Sequence, residues 1–121
     1  MTDDEFLRAL EDCTLPATQF GHVGHVRAAY LLLRRTGFAE ALPRICRSIS
    51  RYAAHQGQPD RYQETMTVAY ASLIQRHLTE RGDGGDWTGF ARQNPELFDS
   101  RTRIAIDPAF ARGHGEPAVS P

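Results

Sequence analysis

The chain has 121 residues, 40% of them hydrophobic and 24% charged, with a formal net charge of −1. That length fits one domain able to bury a core without staples, and the near-neutral balance gives no general pull toward nucleic acid or anionic membrane. All 14 basic residues are arginine, so lysine Schiff-base chemistry is excluded.

Abundant Ala, Gly and Pro beside an arginine-only basic set fit a GC-rich bacterial genome. The acidic start Met1-Thr2-Asp3-Asp4-Glu5 lacks the apolar core of a signal peptide. No window approaches the ~18 apolar residues of a membrane span. The sequence therefore predicts a cytoplasmic protein without membrane association.

Thr2 and Glu5 form a predicted capping box. Phe6, Leu7, Leu10 and Cys13 then repeat at helical spacing, and Leu15-Pro16 is expected to end this first helix. Cys13 and Cys46 both fall in predicted helices, where buried free thiols acting as small hydrophobes are expected.

The second helix is predicted from Gly21 or His22 to Thr36. At a helical repeat His22, His25, Val26, Ala29, Leu32 and Leu33 fall within about 120°, a single inward stripe. Arg27, Arg34 and Arg35 point elsewhere. Two histidines three apart on one helix side converge, and imidazole is both the commonest transition-metal ligand and a proton carrier near neutral pH.

A third helix is predicted with Phe38, Ala41, Leu42, Ile45, Ile49, Tyr52 and Ala53 on one side. Pro43 either delays its start to Leu42 or bends it. Gly57 and Pro59 stop it. Asp60 and Gln63 are expected to form a second capping box for a fourth helix carrying Tyr62, Met66, Ala69, Tyr70, Leu73, Ile74, His77 and Leu78. Gly82-Asp83-Gly84-Gly85 follows as a turn, and Asp86 caps a short fifth helix closed by Asn94-Pro95. Leu97 and Phe98 are expected to pack back on the bundle.

The predicted fold is all-α, a compact bundle of four to five helices over residues 1–107, with a flexible tail over 108–121. In an up-down-up-down bundle the starts of helices two and four share one end. His22, His25 and Glu64 would then converge as a two-histidine, one-carboxylate ligand set for a divalent transition metal such as Fe, Zn or Cu. Tyr62, Gln63 and Arg27 would surround it and orient a small-molecule substrate. His77 lies thirteen residues beyond Glu64, ~20 Å away along the helix, and cannot join. His55 is an optional extra ligand or base at the end of helix three, and His114 sits in the tail.

The string Phe-x-His-x-x-His-(Leu/Val)-Arg, then Gly-Phe-x-Glu-Ala-Leu, then Gly-x-Pro-x-x-Tyr-(His)-Glu-Thr resembles a group of small bacterial helical proteins of uncharacterised function. Matching positions are Phe20, His22, His25, Val26, Arg27, Gly37, Phe38, Glu40, Ala41, Leu42, Gly57, Pro59, Tyr62, Glu64 and Thr65. Gln63 stands where that group has histidine, and an amide oxygen is a poorer donor for most transition metals. The resemblance marks a location and carries no reaction.

The leading expectation is a metal-dependent enzyme performing a tailoring step on a small molecule, of the kind found in secondary metabolism. The alternative is a metal-free interaction or dimerisation protein, such as a homodimer, with structural histidines. Arg44, Arg47 and Arg51 line one helix side. Neutral charge and the absence of a helix-turn-helix pattern set a nucleic-acid role aside.

Overall fold

The computed structural model describes residues 1–102, and every described element is helical or a connection between helices. α1 (Asp3–Glu11) opens on the predicted capping box: Glu5 N–H donates to Thr2 Oγ1 at 3.1 Å, and Thr2 N–H donates to Glu5 Oε1 at 2.7 Å. Phe6, Leu7 and Leu10 form its buried face.

The helix stops earlier than Leu15-Pro16. Cys13 takes φ +61°, and the N–H groups of Thr14 and Leu15 both turn back to the Ala9 carbonyl, at 2.8 and 3.1 Å. Cys13 therefore lies in a turn, and both it and Cys46 are free and half-buried rather than fully enclosed.

After a 3-10 turn at Ala17–Gln19 comes α2 (His22–Thr36), within the expected bounds. It is the central helix. Val26, Ala28, Ala29, Tyr30, Leu31, Leu32 and Leu33 are all buried, far more than one stripe, because α3, α4 and α5 pack around it. Tyr30 illustrates the cost of that position and how it is met. Its ring stacks on Phe90 at 4.5 Å, while its hydroxyl donates to the Asp83 carbonyl at 2.7 Å and accepts from Arg34 at 2.9 Å.

α3 (Phe38–His55) starts ahead of Pro43 and carries that residue inside. The proline forgoes the ladder bond to the Ala39 carbonyl, and the helix continues through it to His55. Ala41, Ile45, Ser48, Ile49 and Tyr52 face the core. The Tyr52 hydroxyl reaches across to the Leu15 carbonyl at 2.6 Å.

The expected Asp60–Gln63 capping box is absent. Pro59 seeds a 3-10 turn over Pro59–Arg61 that takes up Asp60, Tyr62 and Gln63 follow in extended conformation, and α4 (Glu64–Arg81) starts at Gln63 without a side-chain cap. Glu64 does sit in its first turn, where a carboxylate suits the helix dipole.

α5 (Trp87–Gln93) is capped as read: Asp86 Oδ1 accepts from Gly89 N–H at 2.8 Å. Gly84 lies against the backbone of Gly89 and Phe90 so closely that a Cβ there would overlap main-chain atoms. A closing 3-10 turn, Pro95–Phe98, buries Leu97 completely and returns the chain to α2. Among the described residues no helix is long and apolar enough to cross a membrane. The predicted boundary at 107 and the tail over 108–121 lie outside the described residues.

α1 is tied to α3 by a bidentate pair, Arg44 Nε and Nη2 donating to the two Glu11 oxygens at 2.7 and 2.9 Å. These hydrogen bonds, then the Arg44 charge, hold the Glu11 carboxyl below its ordinary 4.5 against a partial opposing effect of burial. A carboxyl lowered by folding contributes stability that is present above its unfolded value and lost as pH falls through the folded one. Urea titrations should therefore show the native chain losing its advantage over Glu11→Gln progressively below about pH 4.5. At neutral pH the difference should stay within about 1 kcal/mol, because the pair is partly solvated. A pH-independent difference would mean that the pair does not act through the Glu11 charge.

Candidate functional site

A cleft of about 640 Å³ opens at the end of the bundle where α2 and α4 begin and α3 finishes. Its inner wall is apolar and aromatic, from Phe20, Val26, Ala29, Ile45, Ile49, Met66 and the rings of Tyr52 and Tyr70. Its rim is polar, from the connection between α3 and α4: Gln56, Gln58, Asp60, Arg61 and Gln63. His22 and His25 line it from the first turn of α2. That both helix starts reach one cleft bears out their parallel placement.

Each imidazole is held by a backbone carbonyl. His22 Nε2 lies 2.8 Å from the Leu97 carbonyl oxygen, and its ring meets Tyr70 edge-on at 4.9 Å. His25 Nδ1 lies 2.8 Å from the carbonyl of Gly21, the same oxygen that accepts its backbone N–H at 3.0 Å. A carbonyl can only accept, so the nitrogen facing it carries the proton. This assigns opposite tautomers. Neutral His22 has its lone pair on Nδ1, and neutral His25 has its lone pair on Nε2.

His25 also stacks on Phe20, centroids 4.2 Å apart and planes 24° apart. Phe20 is itself wedged against Tyr52 and Phe6, at 4.9 and 6.5 Å. One glycine allows this arrangement. A Cβ on Gly24 would come 2.8 Å from Phe20 Cδ1 and 3.1 Å from the Gln19 carbonyl oxygen.

Of the other residues expected at the site, Tyr62 and Gln63 line the cleft, whereas Arg27 and Glu64 do not. Arg27 turns toward α1, with its guanidinium 4.5 Å above the Phe6 ring and Nη2 donating to Asp3 at 2.7 Å. Glu64 is exposed, and its carboxylate accepts a long 3.5 Å bond from the Tyr62 hydroxyl. Burial, then a hydrogen bond with the Cys46 thiol and the Glu64 charge, push the Tyr62 phenol well above its ordinary range, so it stays protonated.

Among the described residues no group of three or more His, Cys, Asp and Glu side chains is placed to hold a metal ion. His55 is exposed and outside the cleft lining. His77, buried and 4.0 Å from Glu96, is likewise outside it. His114 lies outside the described residues.

The site also contains what the sequence signal did not single out: Tyr52, Met66 and Tyr70 as walls, and Gln56, Gln58, Asp60 and Arg61 as rim. Met66 and Tyr70 are four apart on α4, a spacing that reads simply as core. The rim lies in a stretch that reads as a helix stop at Gly57 and Pro59 followed by a capping residue at Asp60. No family model, curated protein or solved structure matches the chain.

Replacing a glycine by alanine inside a helix ordinarily stabilises by about 0.5–1 kcal/mol. Here the crowding of Phe20 should reverse the sign, because overpacking costs about 1–3 kcal/mol. Gly24→Ala should lower the unfolding free energy and shift the His25 ring resonances. A stabilised variant with unchanged His25 signals would show that Phe20 does not depend on this close approach.

Proposed function

We propose that the protein binds and acts on a small organic molecule in the cleft between α2, α3 and α4, with His22 and His25 as its working pair. The observation that carries this is the placing of both rings against backbone carbonyls inside a cleft of ligand size. Small-molecule sites are typically concave, about 300–1,000 Å³, mostly apolar, and supplied with a few placed polar groups. A neutral imidazole with its proton committed to a carbonyl presents the other nitrogen as acceptor or general base near neutral pH. Tyr62, protonated, lines the same cleft with a hydroxyl held only by a long bond to Glu64, and Gln63 would supply an amide at the rim.

A divalent transition metal, Fe, Zn or Cu, on His22, His25 and Glu64 is the second reading. Its support is specific: metal-bound histidines almost always donate their other ring N–H to a carbonyl, carboxylate or water, and both rings here are braced in that way. Such an ion would polarise a carbonyl, activate water or bind dioxygen. The donor set weakens the fit, because Glu64 stands outside the cleft lining. Two imidazoles make a poor resident site, which is why direct action by the histidines is preferred.

Titration of metal-free, untagged protein with zinc separates the two. The first reading expects weak binding that Glu64→Gln leaves unaltered. Tight one-to-one binding that drops roughly 10–100-fold in Glu64→Gln and is abolished in His22→Ala would install the metal instead. A small-fragment screen followed through backbone amide resonances tests the cleft itself. Perturbations should concentrate at residues 20–26, 56–67 and 70. Perturbations confined to other surfaces would remove the assignment.

A further inference from the structure

We infer that Arg81, at the end of α4 and outside the cleft, is a positioning residue for His22. Through Asn94 and Glu96 it sets where the Leu97 carbonyl stands, and that carbonyl holds the ring. The functional weight of this role rests on the assignment of His22 to the working pair above.

The contacts form an unbroken path. A single Arg81 nitrogen, Nη1, donates to Asn94 Oδ1 at 2.8 Å and to Glu96 Oε1 at 2.9 Å. Those two residues bracket Pro95, so one cation grips both sides of the start of the 3-10 turn Pro95–Phe98. Asn94 is completely buried, and its amide nitrogen donates to the Phe90 carbonyl at 2.7 Å, tying the turn to α5 as well as to α4. The Asn94 backbone carbonyl accepts the Leu97 N–H at 3.1 Å. The Leu97 carbonyl then meets His22 Nε2 at 2.8 Å.

The turn needs such a hold. Segments of 3-10 helix have poorer hydrogen-bond geometry than α-helices, and this one begins without a side-chain cap. Leu97 is anchored by its buried side chain, but apolar burial is non-directional and does not aim a peptide carbonyl. Hydrogen bonds are directional, and those made by a charged donor are the stronger kind. Without Arg81, the side-chain oxygen of a fully buried Asn94 would lose its donor. An unsatisfied buried acceptor is costly, which favours reorientation of the amide and of the turn it opens. His25 stands off this path, because its carbonyl partner belongs to Gly21.

The test uses the full nitrogen-15-labelled chain at pH 7.5, without ligand, with long-range proton–nitrogen correlation reporting both rings. In Arg81→Met the His22 Nε2 resonance should shift from its native position, while the His25 Nδ1 resonance keeps its own. Glu96→Gln retains an acceptor oxygen for Arg81 and should leave His22 Nε2 nearer its native position than Arg81→Met does. Thermal melting checks that each variant unfolds cooperatively. If Arg81→Met does not, Glu96→Ala takes its place with the same expectation.

An unmoved His22 resonance in a folded variant, equal movement of both rings, or a shift in Glu96→Gln as large as in the disruptive variant would overturn the role of Arg81 and leave the cleft as a binding site. A His22 resonance that moves as expected, beside a fragment screen that finds nothing in the cleft, would uphold the control of the ring by Arg81 and remove the functional assignment.

Discussion

A carbonyl oxygen has lone pairs and no proton to give, and this constraint at Gly21 and Leu97 sets which ring nitrogen of His25 and of His22 meets it with a proton. Gly21 lies just before α2, so its carbonyl accepts the first ladder bond of the helix from His25 and then also accepts that residue's ring. Leu97 comes from the far end of the described chain and brings its carbonyl to His22 with its own side chain fully buried in the bundle. One anchor is local and the other is long-range. Proper closure of the fold is therefore a condition for the second histidine to have a defined proton.

Hydrogen bonds of this kind contribute about 0.5–1.5 kcal/mol each in net terms, too little to hold a ring against thermal motion unaided. Packing supplies the rest. The face-to-face contact of Phe20 with His25 and the edge contact of Tyr70 with His22 restrict each imidazole to the orientation its carbonyl requires. Gly24 makes room for the first of these contacts. The apolar wall thus shapes the cavity and restrains both rings through the same residues.

The helical architecture was legible because its signals are local. Thr2 with Glu5, Asp86 before Trp87, and the apolar repeat of α2 each depend on residues a few positions apart. Misplaced boundaries came where a turn competed with a helix: the positive φ at Cys13 and the 3-10 turn that Pro59 imposes on Asp60. At Pro43 the helix runs through the proline from Phe38, which sets aside the delayed start at Leu42.

Both histidines line the cleft because they lie in the first turn of one continuous helix, each against its own partners. The direction of Glu64 was not legible in the sequence, because it depends on where α4 starts, and each residue of uncertainty there turns a side chain by about 100°. With Tyr62 and Gln63 extended, those two and Met66 meet the cleft and Glu64 does not. Arg27 had a clearer signal. It lies two residues past His25, about 200° round the helix, which already directs it to another neighbour. The rim formed by Gln56, Gln58, Asp60 and Arg61 carries no periodic signal and emerges only when the end of α3 meets the starts of α2 and α4.

The most direct measurement is the protonation pattern of the two rings, observed through long-range proton–nitrogen correlation in uniformly nitrogen-15-labelled protein near pH 7.5. His22 should give the pattern of a neutral ring protonated at Nε2, and His25 the less common pattern protonated at Nδ1. Finding the same tautomer at both positions, or rapid averaging between tautomers at either, would contradict the control of these rings by the Leu97 and Gly21 carbonyls.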